Sequence, residues 1–150
     1  MTAVDEILES ASCILIVDWP SRDVPDALVG AGFAVLVKGG PEPDNYAALE
    51  LRDGSVARQA IGRPNEPVDI VYVHRPLAEL SEIVAMAKSL GARTVWYQSG
   101  LATAAAKDPK GCWLPGDASR EACVLVESAG MRFVDDVYIV DAVRRLGIRK

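Results

Sequence analysis

The stretch VDIVYVHRPLAELSEIVAMAKSLGARTVWYQ, residues 68–98, holds one complete structural cycle. It opens on VDIVYV (68–73), an apolar run rich in β-branched residues and without sustained polar alternation. Strands covered on both faces have this composition, which favours a parallel sheet flanked by helices. Leu77, Leu80, Ile83, Val84, Ala87 and Leu90 then recur at helical spacing and form one apolar face. Pro76 suits the first position of that helix, and Gly91 suits the left-handed residue that ends it. TVWYQ (94–98) follows as a second buried strand. Strand, helix and strand in this order make a right-handed crossover between parallel neighbours.

The same rhythm extends outward in both directions. CILIV (13–17) and FAVLV (33–37) read as further strands, and RFV (132–134) as a weaker fifth. Helical segments are expected at 25–31, 119–129 and 138–146. "GAGF", "LGAR" and "SAGM" each end a helix on glycine and open a strand. Asp135 and Asp136 precede the last helix, and Arg144 and Arg145 close it, which complements the helix dipole. One region breaks the rhythm: YAALELRDGSVARQAIG (46–62) places Asp53-Gly54 between two polar–apolar segments, a strong hairpin signal. The expectation is a three-layer α/β fold with a doubly wound, mainly parallel sheet and an extra hairpin around 46–62. Residues 1–150 show no linker and no repeat, so a single domain is expected.

Bulk properties remove several functional classes. The formal charge is −5 and no basic block is present, a poor basis for non-specific nucleic-acid binding. No apolar run approaches the roughly 18 residues that span a bilayer. The N-terminus MTAVDEILES is acidic and polar, unlike a signal peptide. The three cysteines, Cys13, Cys112 and Cys123, are widely spaced and read as reduced thiols of a cytoplasmic protein. The single histidine, His74, excludes multi-histidine zinc sites.

In an open parallel sheet, ligands bind beyond the carboxyl ends of the strands, where strand order reverses. The residues just after each run are therefore the candidates. They are Asp18, Trp19, Pro20, Ser21 and Arg22; Lys38, Gly39 and Gly40; His74, Arg75 and Pro76; and Gln98, Ser99 and Gly100. Arg22, Lys38 and Arg75 suit anionic oxygens, Trp19 suits a flat ring, and the glycines permit close backbone approach. Helix starts near Pro25 and Pro76 add free N–H groups. The sequence holds no G-x-G-x-x-G, Walker loop, G-x-S-x-G or C-x-x-C. Asp18 lacks the second carboxylate of an aspartyl phosphotransferase, and His74 lacks an evident catalytic partner. No nucleophile–base pair can be assembled, which argues for binding without catalysis.

The residues EPVDIVYVHRPLAELSEIVAMAKSLGARTVWYQSGL (66–101) resemble the single-domain coenzyme A-binding proteins. This is a Rossmann-like family related to the nucleotide domain of succinyl-CoA synthetase. In that family a P-V-D-I-V strand runs into a phenylalanine–arginine–proline turn and a helix. A GA-x-x-V-W-x-Q-x-G strand follows. Pro67 to Val71, then Arg75 and Pro76, then Gly91, Ala92, Val95, Trp96, Gln98 and Gly100 match these elements. The tail SAGMRFVDDVYIVD resembles the family's closing strand and helix. The resemblance implies a cleft for the adenosine diphosphate part of coenzyme A. Pro20, Ser21 and Arg22 would face the pyrophosphate, Lys38 the adenosine end, and His74, Arg75 and Pro76 the cleft floor. The family's first loop begins Gly-x-Ser, whereas this chain has Asp18-Trp19-Pro20-Ser21. A carboxylate about 4 Å from a phosphate charge repels it by roughly 4 kcal/mol at an effective dielectric of 20. Binding therefore requires that Asp18 point elsewhere.

Three functions follow. The first is a binding protein for coenzyme A, an acyl-CoA or a related adenine nucleotide. The second is a degenerate Rossmann scaffold, an interaction module whose lengthened 41–62 region, with its hairpin, pairs with a partner edge or with a second copy in a homo-oligomer. The third, a nicotinamide-dependent enzyme, is disfavoured by the missing glycine fingerprint.

Overall fold

The computed structural model describes residues 2–19, 21–39, 45–65, 67–98, 116–135 and 137–150. In chain order the elements are α1 (Ala3–Ser10), β1 (Cys13–Val17), α2 (Asp23–Gly30), β2 (Ala34–Lys38), β3 (Tyr46–Arg52) and β4 (Ser55–Gly62). Then come β5 (Ile70–Val73), a 3-10 turn (Leu77–Glu79), α3 (Leu80–Ser89), β6 (Thr94–Tyr97), α4 (Gly116–Ser128), β7 (Arg132–Asp135) and α5 (Ile139–Leu146).

All five residues of β1 are buried, as its unbroken apolar run requires. It lies between β2 and β5 and is parallel to both. β6 and β7 extend the parallel sheet on one side. On the other side β3 and β4 add antiparallel strands, giving the order β4-β3-β2-β1-β5-β6-β7. The β3–β4 hairpin turns at Asp53 and Gly54, with φ of 52° and 79°. Asp-Gly tolerates that left-handed pair, and the resulting twist matches the flanking strands.

Alternate residues of the central strands feed two cores. Ile14, Ile16, Val35, Tyr72 and Trp96 pack with Val24 and Leu28 of α2 and with Ile139, Val140 and Val143 of α5. Leu15, Val17, Val71, Val73, Val95 and Tyr97 pack on the other face with Leu80, Ile83 and Val84 of α3 and with Ala122 and Val126 of α4. These are the three expected layers. Among the described residues no helix is long and apolar enough to cross a membrane.

Boundaries moved where backbone bonding outweighed side-chain pattern. Phe33 belongs to the helix stop, its N–H bonded to the Leu28 carbonyl at 3.2 Å, so β2 starts at Ala34. The third helix opens with a 3-10 turn after Pro76. α1 had no counterpart in the pattern reading. Thr2 and Asp5 close a capping box at its start, and Arg145 of α5 holds Asp5 at 2.7 Å. Cys13 is a buried thiol, whereas Cys123 is partly exposed on α4 and donates to Glu127 at 2.9 Å. Gly40, Cys112 and Asp136 lie outside the described residues.

Asp69 fastens the strand starts together. One carboxylate oxygen accepts the Ser12 and Cys13 N–H groups at 2.8 and 2.9 Å. Its own N–H donates to the Cys13 carbonyl at 2.9 Å, and its carbonyl accepts from Arg93 and Thr94 at 3.0 and 3.2 Å. Losing hydrogen bonds to an ionised acceptor costs about 1.5–3 kcal/mol, with the exposed Ser12 N–H contributing least. Asp69→Ala is expected to lower the unfolding free energy by about that much in urea, at unchanged m-value. Asp69→Asn keeps an acceptor oxygen and should lose less. An alanine variant as stable as the parent would contradict this role.

Candidate functional site

The chain leaves β1 toward β2 on one side and returns to β5 on the other. The carboxyl ends of these strands therefore flank a switch-point crevice. Asp18, directly after β1, has a φ of 56°, the left-handed region that aspartate tolerates better than most residues. Its N–H bonds the Lys38 carbonyl at 3.1 Å. Its carboxylate lies sideways, 3.2 Å from a terminal nitrogen of Arg75. Gly39 makes room for it: a Cβ there would stand 3.2 Å from Asp18 Oδ1.

Arg75 is clamped from two sides. Besides Asp18, it meets Glu79 at 2.6 Å through a terminal nitrogen and at 3.3 Å through Nε. The hydrogen bonds that Arg75 donates to Glu79 dominate over desolvation and, with the charges of Glu79 and Asp18, hold the guanidinium pKa above its ordinary value. Its carbonyl accepts the Tyr97 hydroxyl at 2.7 Å.

Trp19 turns to the opposite face. Its ring lies 5.3 Å from Tyr72, 5.2 Å from His74 and 6.2 Å from Tyr138, centroid to centroid. Its indole N–H donates to Asp23, the first residue of α2, at 2.7 Å. Asp23 also accepts the hydroxyls of Ser21 and Tyr138. Burial penalises the Asp23 charge most, but donors from Ser21, Tyr138, Trp19 and the Val24 N–H together outweigh it and bring the pKa down to about 2. Burial and the bond to Asp23 push the Tyr138 phenol well above its usual range.

The remaining described candidates bind the strand ends to one another. His74 meets the Gln98 carbonyl through Nδ1 at 2.9 Å, and its backbone N–H bonds the Val17 carbonyl at 3.0 Å. The Gln98 side chain is fully buried and accepts the Tyr72 hydroxyl. Pro76 precedes the 3-10 turn. Pro20 and Gly100 lie outside the described residues.

Two clefts open around this junction. On the α3 face a cleft of about 680 Å³ is lined by Val17, Tyr46, Ile83 and Met86, by Lys38, Arg63 and Arg75, and by the carboxylates Asp18, Glu79 and Glu82. On the α2 face a cleft of about 420 Å³ is lined by Trp19, Arg22, Lys38, Leu49, Val56 and Arg58. They share Asp18 and Lys38. Trp19, Arg22 and Lys38 thus converge on one cleft, and Lys38 and Arg75 on the other. Ser21, His74, Pro76 and Gln98 line neither. Arg22 pairs with Asp26 at 3.5 Å, and Lys38 lies 5.9 Å from the Tyr46 ring centre. Sequence reasoning missed Asp23, Tyr46, Glu79, Tyr138 and the rim cations Arg58 and Arg63. The four-residue spacings Trp19–Asp23 and Arg75–Glu79 were the available local signals; Tyr138 offered none.

The depressed Asp23 pKa has a definite sign. Its stabilising contribution is complete above the ordinary carboxylate value of 3.8 and is lost as pH falls toward about 2. Asp23→Asn should cost about 1–2 kcal/mol at neutral pH, the lower part reflecting solvent screening. The gap between parent and variant should close between about pH 4 and pH 2 in denaturant titrations. A gap that persists unchanged in acid would reject the account.

Residues 17–142 match the family model described as CoA binding domain. No curated protein matches the sequence. Among solved structures, Prb, a PH1109 protein redesigned for binding, is 20% identical with a TM-score of 0.61, covering 98% of this chain and 92% of that one. Cell-free ID.343 from Thermus thermophilus is 24% identical with a TM-score of 0.60, covering 94% of each chain. A hypothetical protein from Pyrococcus horikoshii OT3 is 19% identical with a TM-score of 0.61, covering 95% of this chain and 89% of that one. At such identities the likeness shows the shared α/β fold. The family match spans most of the sequence and includes every strand from β2 to β7, so this chain belongs to the CoA binding domain family.

Proposed function

We propose that this chain is a small-molecule binding protein for the adenine-nucleotide end of coenzyme A or an acyl-CoA, and that it performs no chemistry of its own. The observation that carries this reading is the sideways Asp18 carboxylate, 3.2 Å from Arg75. The charge that would repel a pyrophosphate is matched by a guanidinium.

The larger cleft suits the adenosine end. Its volume of about 680 Å³ falls within the range of small-ligand sites, roughly 300–1,000 Å³. Val17, Ile83 and Met86 offer apolar surface for a base, and Tyr46 offers a ring. Lys38 and Arg63 at the rim supply cations. Arg63 has no hydrogen-bond or ion-pair partner among the described residues. Arg22, next to the start of α2, serves the pyrophosphate, together with Pro20 and Ser21 of the loop. Arg75 acts by holding Asp18 aside. His74, Pro76 and Gln98 support the floor, and Gly100 belongs to the same strand-end set. The cofactor would bring a thiol or thioester; the chain's residues bind and orient its nucleotide handle.

The scaffold reading has one specific observation in its favour. Trp19 in the first loop is locked to Asp23, Tyr72, His74 and Tyr138. Titration calorimetry with coenzyme A, ATP and NAD separates the two. Coenzyme A should bind and NAD should not, and ligand at about 100 times its Kd should stabilise the fold by about 2.7 kcal/mol. Lys38→Glu should weaken coenzyme A at least about tenfold, or 1.4 kcal/mol. Asp18→Asn should bind as well as the parent or better. No heat with any of the three nucleotides would leave the scaffold reading in place.

A further inference from the structure

We propose that β4 is a pairing edge for a second copy of this chain, joining two sheets into one across a two-fold axis. The sheet has two edge strands of different kinds. β7 is short, carries Arg132 and Asp135 at its ends, and gives Arg132 to Glu6 at 3.6 Å. Short, charged edges of this type discourage pairing. β4 runs for 8 residues, SVARQAIG, holds no proline, and has Arg58 as its only charge. It leaves Ile61 37% exposed. Its register against β3 shifts once, at Ile61 near the far end, which leaves Ser55–Ala60 as a regular edge without proline.

The hairpin register fixes what this edge offers. Arg52 faces Ser55 across the two-residue turn, Glu50 faces Ala57, and Ala48 faces Gln59. In such a hairpin the closing pair exchanges hydrogen bonds, and every second pair does so after it. Ser55, Ala57 and Gln59 therefore direct their backbone groups to β3. Val56, Arg58 and Ala60 direct theirs outward, away from the sheet.

Two antiparallel copies of this edge can meet in two central registers. Centring the axis on Arg58 sets two guanidinium groups opposite each other, which repels. Centring it on Gln59 removes that conflict. Arg58 then exchanges backbone hydrogen bonds with Ala60 of the other copy, within the regular stretch of β4. The two Gln59 amides meet at the axis, each able to donate and accept. This contact is isologous, so it closes at two copies. Pairing β4 with β7 would be heterologous and would grow without end.

Sedimentation velocity on the full chain across micromolar to sub-millimolar concentrations should show a monomer–dimer equilibrium. Gln59→Glu and Gln59→Lys each place like charges at the axis and should raise the dimer Kd at least about tenfold. Mixing the two variants should restore a dimer made of one of each. Ala60→Pro removes an outward N–H, leaves the β3–β4 bonds intact, and should also give monomer, with circular dichroism confirming the fold. A parent chain that stays monomeric throughout overturns the proposal. A dimer indifferent to all three substitutions, or a mixture that fails to re-pair, does the same.

Discussion

The site depends on β1 being buried along its whole length between two parallel neighbours. Cys13–Val17 has no freedom to shift register, because a slip by one residue would exchange the two cores. Asp69 fixes one end of this strand through two backbone bonds. At the other end Asp18 must turn the chain out of the sheet at once, and it does so in the left-handed region. A non-glycine residue held there costs on the order of 1 kcal/mol. The Asp18 N–H bond to Lys38 and the carboxylate contact with Arg75 offset that cost. The same two bonds join the ends of β1, β2 and β5, so loop strain and site assembly are one event.

Electrostatics around this junction sort the cations into two roles. Arg75 faces two carboxylates, Asp18 and Glu79, and its side chain is 35% exposed. A guanidinium so paired is a structural clamp, because releasing it would leave two carboxylates without their partner. Arg63 and Arg58 sit on or beside the hairpin, at the rims of separate clefts. Neither is engaged by a carboxylate among the described residues, so both keep their charge available to an anion. The 46–62 insertion thus provides more than an extra sheet edge. It carries Arg58 to one cleft, and the residue just after it, Arg63, reaches the other.

Most of the fold was legible because its signals are local. Apolar runs marked β1, β5 and β6 almost to the residue, and Asp53-Gly54 marked the hairpin turn. α1 was missed because its apolar stripe, Val4, Ile7 and Leu8, spans only 8 residues and its anchor, Arg145, comes from the far end of the chain. The site divided in the same way. Positions after strands were legible, since the fold class puts them in the crevice. Their partners were not: Tyr138 reaches Asp23 across 115 positions, and nothing in either neighbourhood announces it. Ser21, Trp19 and His74 consequently looked free in the sequence, whereas each is committed to a neighbour.

Trp19 shows why a family pattern transfers by environment and not by position alone. A small residue at a first loop lets backbone N–H groups close on a phosphate. An indole there must be housed, and this chain houses it with Tyr72, His74 and Tyr138 on the α2–α5 side. Asp23 locks the indole N–H and so fixes the first turn of α2 against α5. Asp18 is meanwhile drawn to the α3 side by Arg75. The two bulky substitutions diverge, one to each face of the sheet, and the space between them is bounded by Lys38. That divergence is what allows a loop without glycine to border two clefts and fill neither.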